Sequence, residues 1–420
     1  MTTPNTAAGQ ERVVVTGLGV ASALGCSVGS FWSALLAGDS GVTRIEDERL
    51  ANCRTKVFAP VRGFDPELYF HRRERQRMSR ASQLTLVAVA QAVEQAKLDE
   101  ARCRELGVGA IIGGSSSGFV AMEPVLERYF DEGVVSDPLS LPTIMNNAPT
   151  SNASIRFGLT GPTMTIDAAC ASSAHAIGYA YCLISSRRLT AAVVGGTDTP
   201  LGPSMVHAWS SLRAMTERND PPWEACRPFS LDRDGMVLGE GAAILVLESE
   251  SSARSRGADI LAEISGYGAV SDGAHLTKPS SPGIRRALEA ALLDARLSEA
   301  DIDYVNAHAT ATRLNDAMES EAIKHVLGKR AYEIPVVGIK AATGHCIAAS
   351  AALECVSCVL SLREQVVPPT LNVKVPDPRC DLDYVTEGAR RCAIEHVLSN
   401  SFAFGGSSAV LVVSRYSRED

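Results

Sequence analysis

Short apolar runs recur along this chain at regular intervals. Each run is five or six residues long, most are rich in β-branched residues, and many are bounded by glycine, which is typical of buried strands. In the first half of the chain the runs cover residues 12–16, 108–113, 163–167, 191–196 and 243–248. In the second half they cover residues 260–265, 302–307, 334–339, 397–402 and 409–414. The pattern predicts two successive groups of strands.

Between these runs the apolar residues change to helical spacing. The stretches 83–97, 283–295 and 316–327 are predicted helices, and an apolar stripe with the same period follows Cys170 at Ala174, Ile177, Tyr181 and Ile184. Strands that alternate with helices predict an α/β fold.

The two halves of the chain resemble each other. Thr16-Gly17-Leu18-Gly19 after the first predicted strand is echoed by Ser265-Gly266-Tyr267-Gly268 early in the second half, which suggests an internal duplication. The polar, serine-rich stretch 249–257 lies between the halves. We therefore predict domains at 11–255 and 256–416, packed tightly because no long linker separates them.

Composition excludes several classes of protein. With 420 residues, 45% of them hydrophobic and 21% charged, the chain has the make-up of an ordinary globular protein, and its net charge of −8 argues against a general nucleic-acid binder. No apolar run is long enough to predict a membrane span. The 11 cysteines are an odd number, and residues 1–10 lack the blocks of a secretory signal, so we expect a reducing, cytoplasmic location.

The sequence shows no fingerprint of a bound cofactor or metal. Gly17-x-Gly19 lacks the third glycine of a dinucleotide loop, because position 22 is serine, and no phosphate-binding loop is present. The one Cys-x-x-Cys pair, Cys355 and Cys358, lies in an apolar helical run and has no second pair to complete a zinc site. We predict that both thiols belong to the core and that the protein holds no metal.

Cys170 is the most informative candidate for chemistry. It stands between the predicted strand 163–167 and a helix that begins at Ser172, so its thiol is placed at a helix N-terminus. Unpaired N–H groups there stabilise a thiolate and the oxyanion formed when it attacks a thioester, which favours acyl transfer. The alternative is that Cys170 is simply a small buried hydrophobe.

Two histidines follow predicted strands in the second half. His308 lies among small residues in Asn-Ala-His-Ala-Thr-Ala-Thr (306–312), and His345 follows Lys340. Glu354, on the next predicted helix, is within reach of that loop. A Lys–Glu pair beside a histidine can orient it and bias its protonation, whereas the alternative is an isolated salt bridge near core histidines.

Two further segments are candidate parts of a site. In Asn-Ser-Phe-Ala-Phe-Gly-Gly (400–406), a backbone N–H at Phe404 could complete an oxyanion hole with that of Cys170, and the alternative is an ordinary β-turn. A basic cluster, defined here as Arg72, Arg73, Arg75 and Arg77, is either a solvated helix face or a docking patch for an acidic partner.

Together the segments around Cys170, His308, Lys340–His345 and Phe404 resemble, in order and spacing, the β-ketoacyl-acyl carrier protein synthases, from about residue 12 to residue 414. The resemblance implies a thiolase fold, with two similar βαβαβαββ halves in an αβαβα arrangement of layers. It also implies an obligate dimer whose active site is buried near the interface.

The resemblance further implies roles for particular residues. Cys170 would be the nucleophile, His308 and His345 would serve decarboxylation and condensation, and Lys340 with Glu354 would support them. Phe404 would contribute to the oxyanion hole and the gate. The acyl pocket would include Phe402 together with Ser115, Ser116 and Ser117.

The partners implied by the resemblance are a carrier and a second subunit. Substrates would arrive on the phosphopantetheine of an acidic acyl carrier protein, which would dock on the basic cluster, and no other cofactor is expected. The second subunit would be an identical chain or a ketosynthase-like chain-length subunit.

Some positions depart from the family's pattern. Alanines replace family glycines at positions 309, 311 and 403, and we expect Ala403 to narrow the freedom of the gate loop. Ser115–Ser117 replaces a bulky aliphatic residue, which suits a longer or unsaturated chain. These departures favour a polyketide or polyene pathway. The alternatives are housekeeping fatty-acid elongation, a thiolase acting on coenzyme A esters, and a non-catalytic chain-length partner.

Overall fold

The computed structural model describes residues 10–135 and 137–418. Apart from Gln10, the N-terminal segment that entered the prediction of location lies outside the described residues, so the cytoplasmic location stays a prediction. Among the described residues, no helix has both the length and the apolar character needed to cross a bilayer.

All ten predicted strands lie in one large mixed sheet, which confirms the pattern of apolar runs, and four strands of two residues each pair off separately within the described chain. The strands are β1 (Val13–Ala21), β2 (Thr43–Arg44), β3 (Val57–Phe58), β4 (Gly109–Gly113), β5 (Thr163–Ile166), β6 (Ala191–Asp198), β7 (Gly241–Ser249), β8 (Ala262–Ser271), β9 (Tyr304–Asn306), β10 (Val336–Val337), β11 (Val366–Val367), β12 (Arg390–Arg391), β13 (His396–Phe402) and β14 (Ser407–Ser414).

The helices include those predicted at 83–97, 283–295 and 316–327 and the one that follows Cys170. They are α1 (Val28–Ala37), α2 (Arg72–Arg75), α3 (Arg80–Gln95), α4 (Glu100–Leu106), α5 (Ser117–Glu132), α6 (Ser140–Ile144), α7 (Ala148–Phe157), α8 (Ser172–Ser185), α9 (Pro203–Ser211), α10 (Glu250–Ser255), α11 (Ser281–Ala295), α12 (Asn315–Leu327), α13 (Lys340–Thr343) and α14 (Ser350–Glu364).

The strand order repeats in the two halves of the chain. The sheet runs β10-β9-β13-β14-β8-β1-β7-β6-β4-β5, and the halves meet at the antiparallel pair β8 and β1. Counted outward from that junction, each half places its own first, fifth, fourth, second and third strands in the same order. With the helices between them, both halves are βαβαβαββ units, as the thiolase fold requires. The boundary at residues 255 and 256 stays a prediction.

Helices cover the sheet in layers. In the first half α3 and α7 pack on one face, and in the second half α11 packs on the corresponding strands with α12 beside it. The middle layer is α8 and α14, which pack against each other and against strands of both halves. The nucleophile and the two histidines lie at the ends of elements that meet in this middle layer.

The glycine pairs of the predicted duplication play the same structural role. A Cβ at Gly17 or Gly19 would overlap backbone carbonyl oxygens of α3, and a Cβ at Gly266 or Gly268 would overlap those of α11. In each half the first strand therefore approaches its covering helix more closely than a side chain allows.

The strand before Cys170 differs from its prediction. The pattern at 163–167 predicts a buried strand, but β5 forms the edge of the large sheet, with Thr163 exposed and Met164, Thr165 and Ile166 half-buried. Its outer backbone flank has no neighbouring strand among the described residues. An edge strand can carry apolar residues because another subunit or a neighbouring element buries it. The pattern of apolar residues alone does not distinguish such a strand from one in the middle of a sheet.

Candidate active site

Cys170 lies in a tight turn between the edge strand and the central helix. The turn covers Ala169–Ala171, and α8 begins at Ser172 as predicted. The Ser172 hydroxyl accepts the Ala168 N–H at 2.9 Å and donates to the Ala169 carbonyl at 2.7 Å. Ala169 is held at φ +47°, a left-handed conformation that alanine disfavours. The sequence thus folds into a strained elbow that presents the thiol at the start of α8.

His345 faces the thiol directly. Its Nε2 lies 3.1 Å from the Cys170 Sγ, across 175 residues of sequence. Its Nδ1 accepts the backbone N–H of Ile347 at 3.2 Å and lies 2.9 Å from the Ser350 hydroxyl. Because an N–H donor occupies Nδ1, the neutral ring carries its proton on Nε2 and donates toward the sulfur.

His308 stands beside His345 at the end of β9. The two rings are 5.6 Å apart between centroids and nearly perpendicular, at 87°. The buried carboxylate of Glu319 accepts the backbone N–H groups of His308 at 2.7 Å and Ala309 at 2.9 Å. That pair of bonds fixes the turn, in which Ala309 adopts φ +43°.

Lys340 is buried between Glu354 and His308. Its ammonium ion-pairs with Glu354, donates to the His308 carbonyl at 2.6 Å and lies 3.4 Å from the His308 Nδ1. The expected Lys–Glu pair is present, but its hydrogen bonds orient His308, whereas we expected it to act on His345. The segment 340–345, which begins with the short helix α13, turns His345 toward Cys170 and leaves the Lys340 side chain pointing back at β9. An ammonium at Nδ1 leaves the His308 proton on Nε2.

Burial and Lys340 together keep both imidazoles neutral. Burial is the larger cause that holds the pKa of His308 and of His345 well below the usual range, and the nearby Lys340 charge lowers both further. Lys340 therefore acts on His345 through its charge alone, and on His308 through contact as well.

The carboxylate and the thiol respond to burial in the opposite direction. Burial raises the pKa of Glu354 to about 7, against the lowering effect of Lys340. Burial also raises the pKa of Cys170 to about 12, again opposed by Lys340. The His345 N–H and the amides that begin α8 act against this burial, because both favour the thiolate.

The thiol and both imidazoles, but neither Lys340 nor Glu354, line a cavity of about 440 Å³. Cys170, His308 and His345 lie on its floor, and both predicted phenylalanines, Phe402 and Phe404, line it. Its remaining walls and mouth are formed by Trp209, Leu212, Arg213, Ala214, Asp234, Met236, Thr277, Lys278, Pro279, Thr310, Thr312, Arg313, Leu314, Asn315 and Ala403.

Sequence reasoning missed Trp209. Its ring stacks on Phe404, with centroids 5.6 Å apart and planes at 26°. Tryptophan occurs only three times in the chain, and this one lies on a short amphipathic helix, so its rarity was the available signal. The basic residues at the cavity mouth, Arg213, Lys278 and Arg313, were also missed, because isolated basic residues in loops carry no pattern.

The serines predicted for the acyl pocket, Ser115, Ser116 and Ser117, do not line the cavity described above, and their role in an acyl pocket stays a prediction. The Ser116 N–H and the Ser117 hydroxyl instead donate to the buried carboxylate of Asp198, at 3.1 and 2.9 Å. These polar groups supply the hydrogen bonds that the buried Asp198 carboxylate requires. Because Asp198 is distant in sequence, a local pattern does not reveal this role of the serines.

The turn that carries Phe404 contains two left-handed glycines. Residues 403–407, called here the Phe404 turn, place Ala403 in an extended conformation at φ −124°, which alanine adopts freely. The left-handed residues are Gly405 at φ +79° and Gly406 at φ +73°. The conformation of the turn therefore requires glycine at positions 405 and 406 and not at position 403, and the prediction that Ala403 narrows the freedom of the gate loop stays a prediction.

The basic cluster lies on and just after α2. Arg72, Arg73 and Arg77 are exposed, whereas Arg75 is half-buried and donates to Glu67 at 2.8 Å. Three of the four arginines in the basic cluster are therefore accessible to a partner protein.

The Cys-x-x-Cys pair fits the core prediction. Cys355 and Cys358 are fully buried inside α14. Cys346, the cysteine next to His345, is also buried and directs its sulfur to the carbonyls of Glu240 and Thr343. It does not line the cavity, so it offers no second thiol facing Cys170.

Comparisons with known proteins agree with this geometry. The family described as "Beta-ketoacyl synthase, N-terminal domain" matches residues 10–253, and "Beta-ketoacyl synthase, C-terminal domain" matches residues 261–374. A 3-oxoacyl-[acyl-carrier-protein] synthase 2 of Coxiella burnetii is 38% identical over 413 residues, covering 97% of this chain and 99% of the relative. A putative polyketide beta-ketoacyl synthase 1 of Streptomyces cyaneus is 38% identical over 428 residues, with the same coverage.

Solved structures are similar over almost the whole chain. The ishigamide ketosynthase/chain length factor has a TM-score of 0.91 at 33% identity, and the match covers 97% of this chain and 100% of that one. A type II PKS acyl-carrier protein in complex with its ketosynthase, AntDE:AntF, has a TM-score of 0.89 at 32% identity, with the same coverage.

Proposed function

This chain belongs to the β-ketoacyl synthase family, and on that premise we propose that Cys170 is the nucleophile of a decarboxylative condensation between two carrier-bound acyl groups. The observation that carries the proposal is the placement of His345. Its Nε2–H points at the Cys170 sulfur from 3.1 Å, while His308 lies beside it in the same cavity.

In the first half-reaction the Cys170 thiolate attacks the carbonyl carbon of an acyl thioester. The C–S bond to the carrier breaks, the carrier thiolate leaves and takes up a proton from solvent, and the acyl group stays on Cys170. The developing oxyanion is stabilised by main-chain N–H groups, for which we propose those of Cys170 and Phe404. The elbow at Ala169 and the Phe404 turn hold these groups in place.

In the second half-reaction a malonyl thioester occupies the cavity. Loss of carbon dioxide leaves an enolate, whose oxygen accepts the Nε2–H of His308 and of His345. The enolate carbon then attacks the thioester on Cys170, a carbon–carbon bond forms, and the thiolate is released. Neutral rings suit this role, because they donate a hydrogen bond without having to lose a proton.

The roles can be separated by mass spectrometry and by release of carbon dioxide. Incubation with hexanoyl-carrier should add a hexanoyl group to the intact protein, and Cys170→Ser should abolish that stable adduct. His308→Ala should still form the adduct but should lose malonyl-carrier decarboxylation, since it removes one enolate donor. His325→Ala, which alters an exposed histidine, is the control. Absence of an adduct on Cys170 in the wild-type chain would favour a non-catalytic partner subunit.

We propose that the carrier is an acidic acyl carrier protein that docks across the basic cluster and the cavity mouth. Arg72, Arg73 and Arg77 are exposed, and Arg213 and Arg313 stand at the mouth. Changing the three exposed arginines to glutamate should raise KM for hexanoyl-carrier and leave turnover of hexanoyl-pantetheine unchanged. Arg187 and Arg188, exposed at the other end of α8, are the matched control. An unchanged KM for the carrier would remove the cluster from the docking site.

We propose that a second subunit covers the edge of the large sheet. Helices α5, α6 and α7 next to β5 expose large apolar side chains, among them Phe119, Phe130, Leu141 and Ile155, at 65–79% of their surface. Large apolar side chains exposed together on one face of a protein mark a site of contact with another protein. That partner is an identical chain or a ketosynthase-like chain-length subunit, and intact-mass analysis of the purified complex identifies which. Ile155→Glu should dissociate it, whereas Leu293→Glu on the opposite half should not.

We favour a polyketide or polyene pathway for this enzyme. One structural relative described above is a type II PKS acyl-carrier protein with its ketosynthase. The sequence relatives include a putative polyketide beta-ketoacyl synthase and a 3-oxoacyl-[acyl-carrier-protein] synthase 2, both at 38% identity. Product analysis with malonyl-carrier as the extender decides between the two. Repeated extension without reduction supports polyketide synthesis, whereas one extension per loaded saturated chain supports housekeeping elongation. The thiolase alternative lacks support, since no second cysteine lines the cavity.

A further inference from the structure

His175 links the helix that carries Cys170 to the turn that carries Phe404. It lies on α8, five residues after the nucleophile, and its ring is half-buried. Its Nε2 is 2.8 Å from the Ser407 hydroxyl, and its Nδ1 is 2.5 Å from the Tyr267 hydroxyl. Both ring nitrogens therefore bond to residues of the other half of the chain.

Ser407 is the closing residue of the Phe404 turn. Its carbonyl accepts the Ala403 N–H at 2.8 Å, so the two ends of the turn meet at this residue. Between them Gly405 and Gly406 adopt left-handed conformations. The tip of the turn is held by the Gly405 N–H, which donates to the Leu276 carbonyl at 2.6 Å, and by the Gly406 carbonyl, which accepts the Asp272 N–H at 3.0 Å. The His175–Ser407 bond holds the base of the turn from the side of α8.

Tyr267 fixes the His175 ring in turn. The tyrosine lies against α8 at Gly178, where a Cβ would overlap the tyrosine ring. The rings of Tyr267 and His175 meet edge to face, with centroids 6.0 Å apart. The glycine on α8 thus leaves room for the tyrosine that orients the histidine, so the arrangement is built from both halves.

We propose that His175 is a positioning residue that keeps the main-chain N–H of Phe404 in register with that of Cys170. This inference rests on the proposed function, because it assigns a purpose to the oxyanion hole proposed above. An oxyanion needs both donors within hydrogen-bond distance of one point, and a shift of either donor weakens the acyl-transfer step. The reactivity of the Cys170 thiol toward an alkylating reagent does not depend on the position of the Phe404 turn.

The test separates thiol reactivity from acyl transfer. Iodoacetamide alkylates Cys170 without forming an oxyanion, whereas hexanoyl-pantetheine acylates it through one. In His175→Ala we expect the acylation rate to fall about tenfold and the alkylation rate to stay within about twofold of wild type. Equal losses in both rates would mean that the variant disturbs the whole site and would overturn the proposal.

A double-mutant cycle tests the bond itself. Ser407→Ala removes the same hydrogen bond from the other side, so the double variant should be no slower than either single variant. Independent, multiplying losses would contradict the inference. The matched control is His396→Ala, which removes a comparable bond to Ser414, 2.8 Å long, at the far end of the same strand. It should leave acylation unchanged.

Conservative replacements give a second readout. Glutamine places an amide near the position of Nε2 and can still bond Ser407, whereas asparagine reaches only the position of Nδ1. We expect His175→Gln to recover more acylation than His175→Asn, with both folding to similar melting temperatures. Equal rates in the two variants would contradict the proposal. If the wild-type chain is not acylated at all, the proposed function fails and this inference fails with it.

Discussion

The ammonium of Lys340 lies 3.4 Å from the Nδ1 of His308, and the lysine is 1% exposed. The same group ion-pairs with Glu354 on the central helix α14. One buried cation therefore fixes the tautomer of the His308 imidazole and neutralises a carboxylate that would otherwise be isolated in the core.

Lys340→Met should separate these two effects. We expect malonyl-carrier decarboxylation to fall at least tenfold, because His308 loses the donor at Nδ1. We also expect the free energy of unfolding to fall by about 3 kcal/mol, because Glu354 is left buried without a partner. Urea unfolding and a carbon dioxide assay measure the two quantities.

The double variant Lys340→Met with Glu354→Gln should regain much of the stability without regaining the activity. Lys324→Met is the control, since Lys324 pairs with Asp381 at the surface and should cost less than about 1 kcal/mol. Full activity in Lys340→Met would show that His308 needs no fixed tautomer.

The neutral histidines give the stability a defined pH dependence. In the folded chain the pKa values of His308 and His345 are well below the ordinary value of about 6.5, so the unfolded chain takes up protons first as the pH falls. Their contribution is complete above about pH 6.5 and is lost below it, by about 1.4 kcal/mol per pH unit for each ring.

His308→Gln should therefore flatten the pH dependence of unfolding between pH 6.5 and 5 by about 1.4 kcal/mol per pH unit relative to wild type. The buried carboxylates titrate in both chains and cancel in this comparison. Urea unfolding at several pH values measures the slope, and the exposed His325→Gln is the control. Parallel slopes for wild type and His308→Gln would show that His308 is not held neutral.

Mobility of the Phe404 turn should depend on position 405 and not on position 403. Ala403→Gly should change turnover by less than about twofold, because Ala403 is extended. Gly405→Ala meets no neighbouring atom but must hold φ +79°, which costs alanine about 1 kcal/mol and displaces Phe404. Stopped-flow acylation of Cys170 should therefore slow in Gly405→Ala only. The reverse ranking would restore Ala403 as the residue that limits the gate.

Trp209 should govern access to the thiol. Trp209→Ala removes the ring on which Phe404 stacks and opens the cavity wall. Alkylation of Cys170 by N-ethylmaleimide should become several-fold faster, while acylation by hexanoyl-carrier becomes slower because Phe404 loses its support. Trp223, which is 56% exposed and does not line the cavity, provides the matched alanine variant. Unchanged alkylation in Trp209→Ala would mean that the indole does not limit entry.

The sequence by itself determined the elements and the candidate residues. Each of the ten predicted strands lies in the large sheet. Strands and helices differ in the spacing of their buried residues, and this spacing can be read from a short stretch of sequence. The repeated glycine pairs, Gly17 with Gly19 and Gly266 with Gly268, were also recognisable in the sequence, because close packing of a strand on a helix requires glycine at fixed positions. Cys170, His308, Lys340 and His345 were identified because each stands at the end of such an element.

Only the tertiary structure decided which of these residues meet. Contact between His345 and Cys170 depends on the packing of α8 against α14 across the two halves, and no local period records it. The same packing turned Lys340 toward His308, against expectation, and placed Ser116 and Ser117 on Asp198. Short-range patterns fix where a backbone is buried, whereas the direction and partner of a side chain depend on residues far away in sequence.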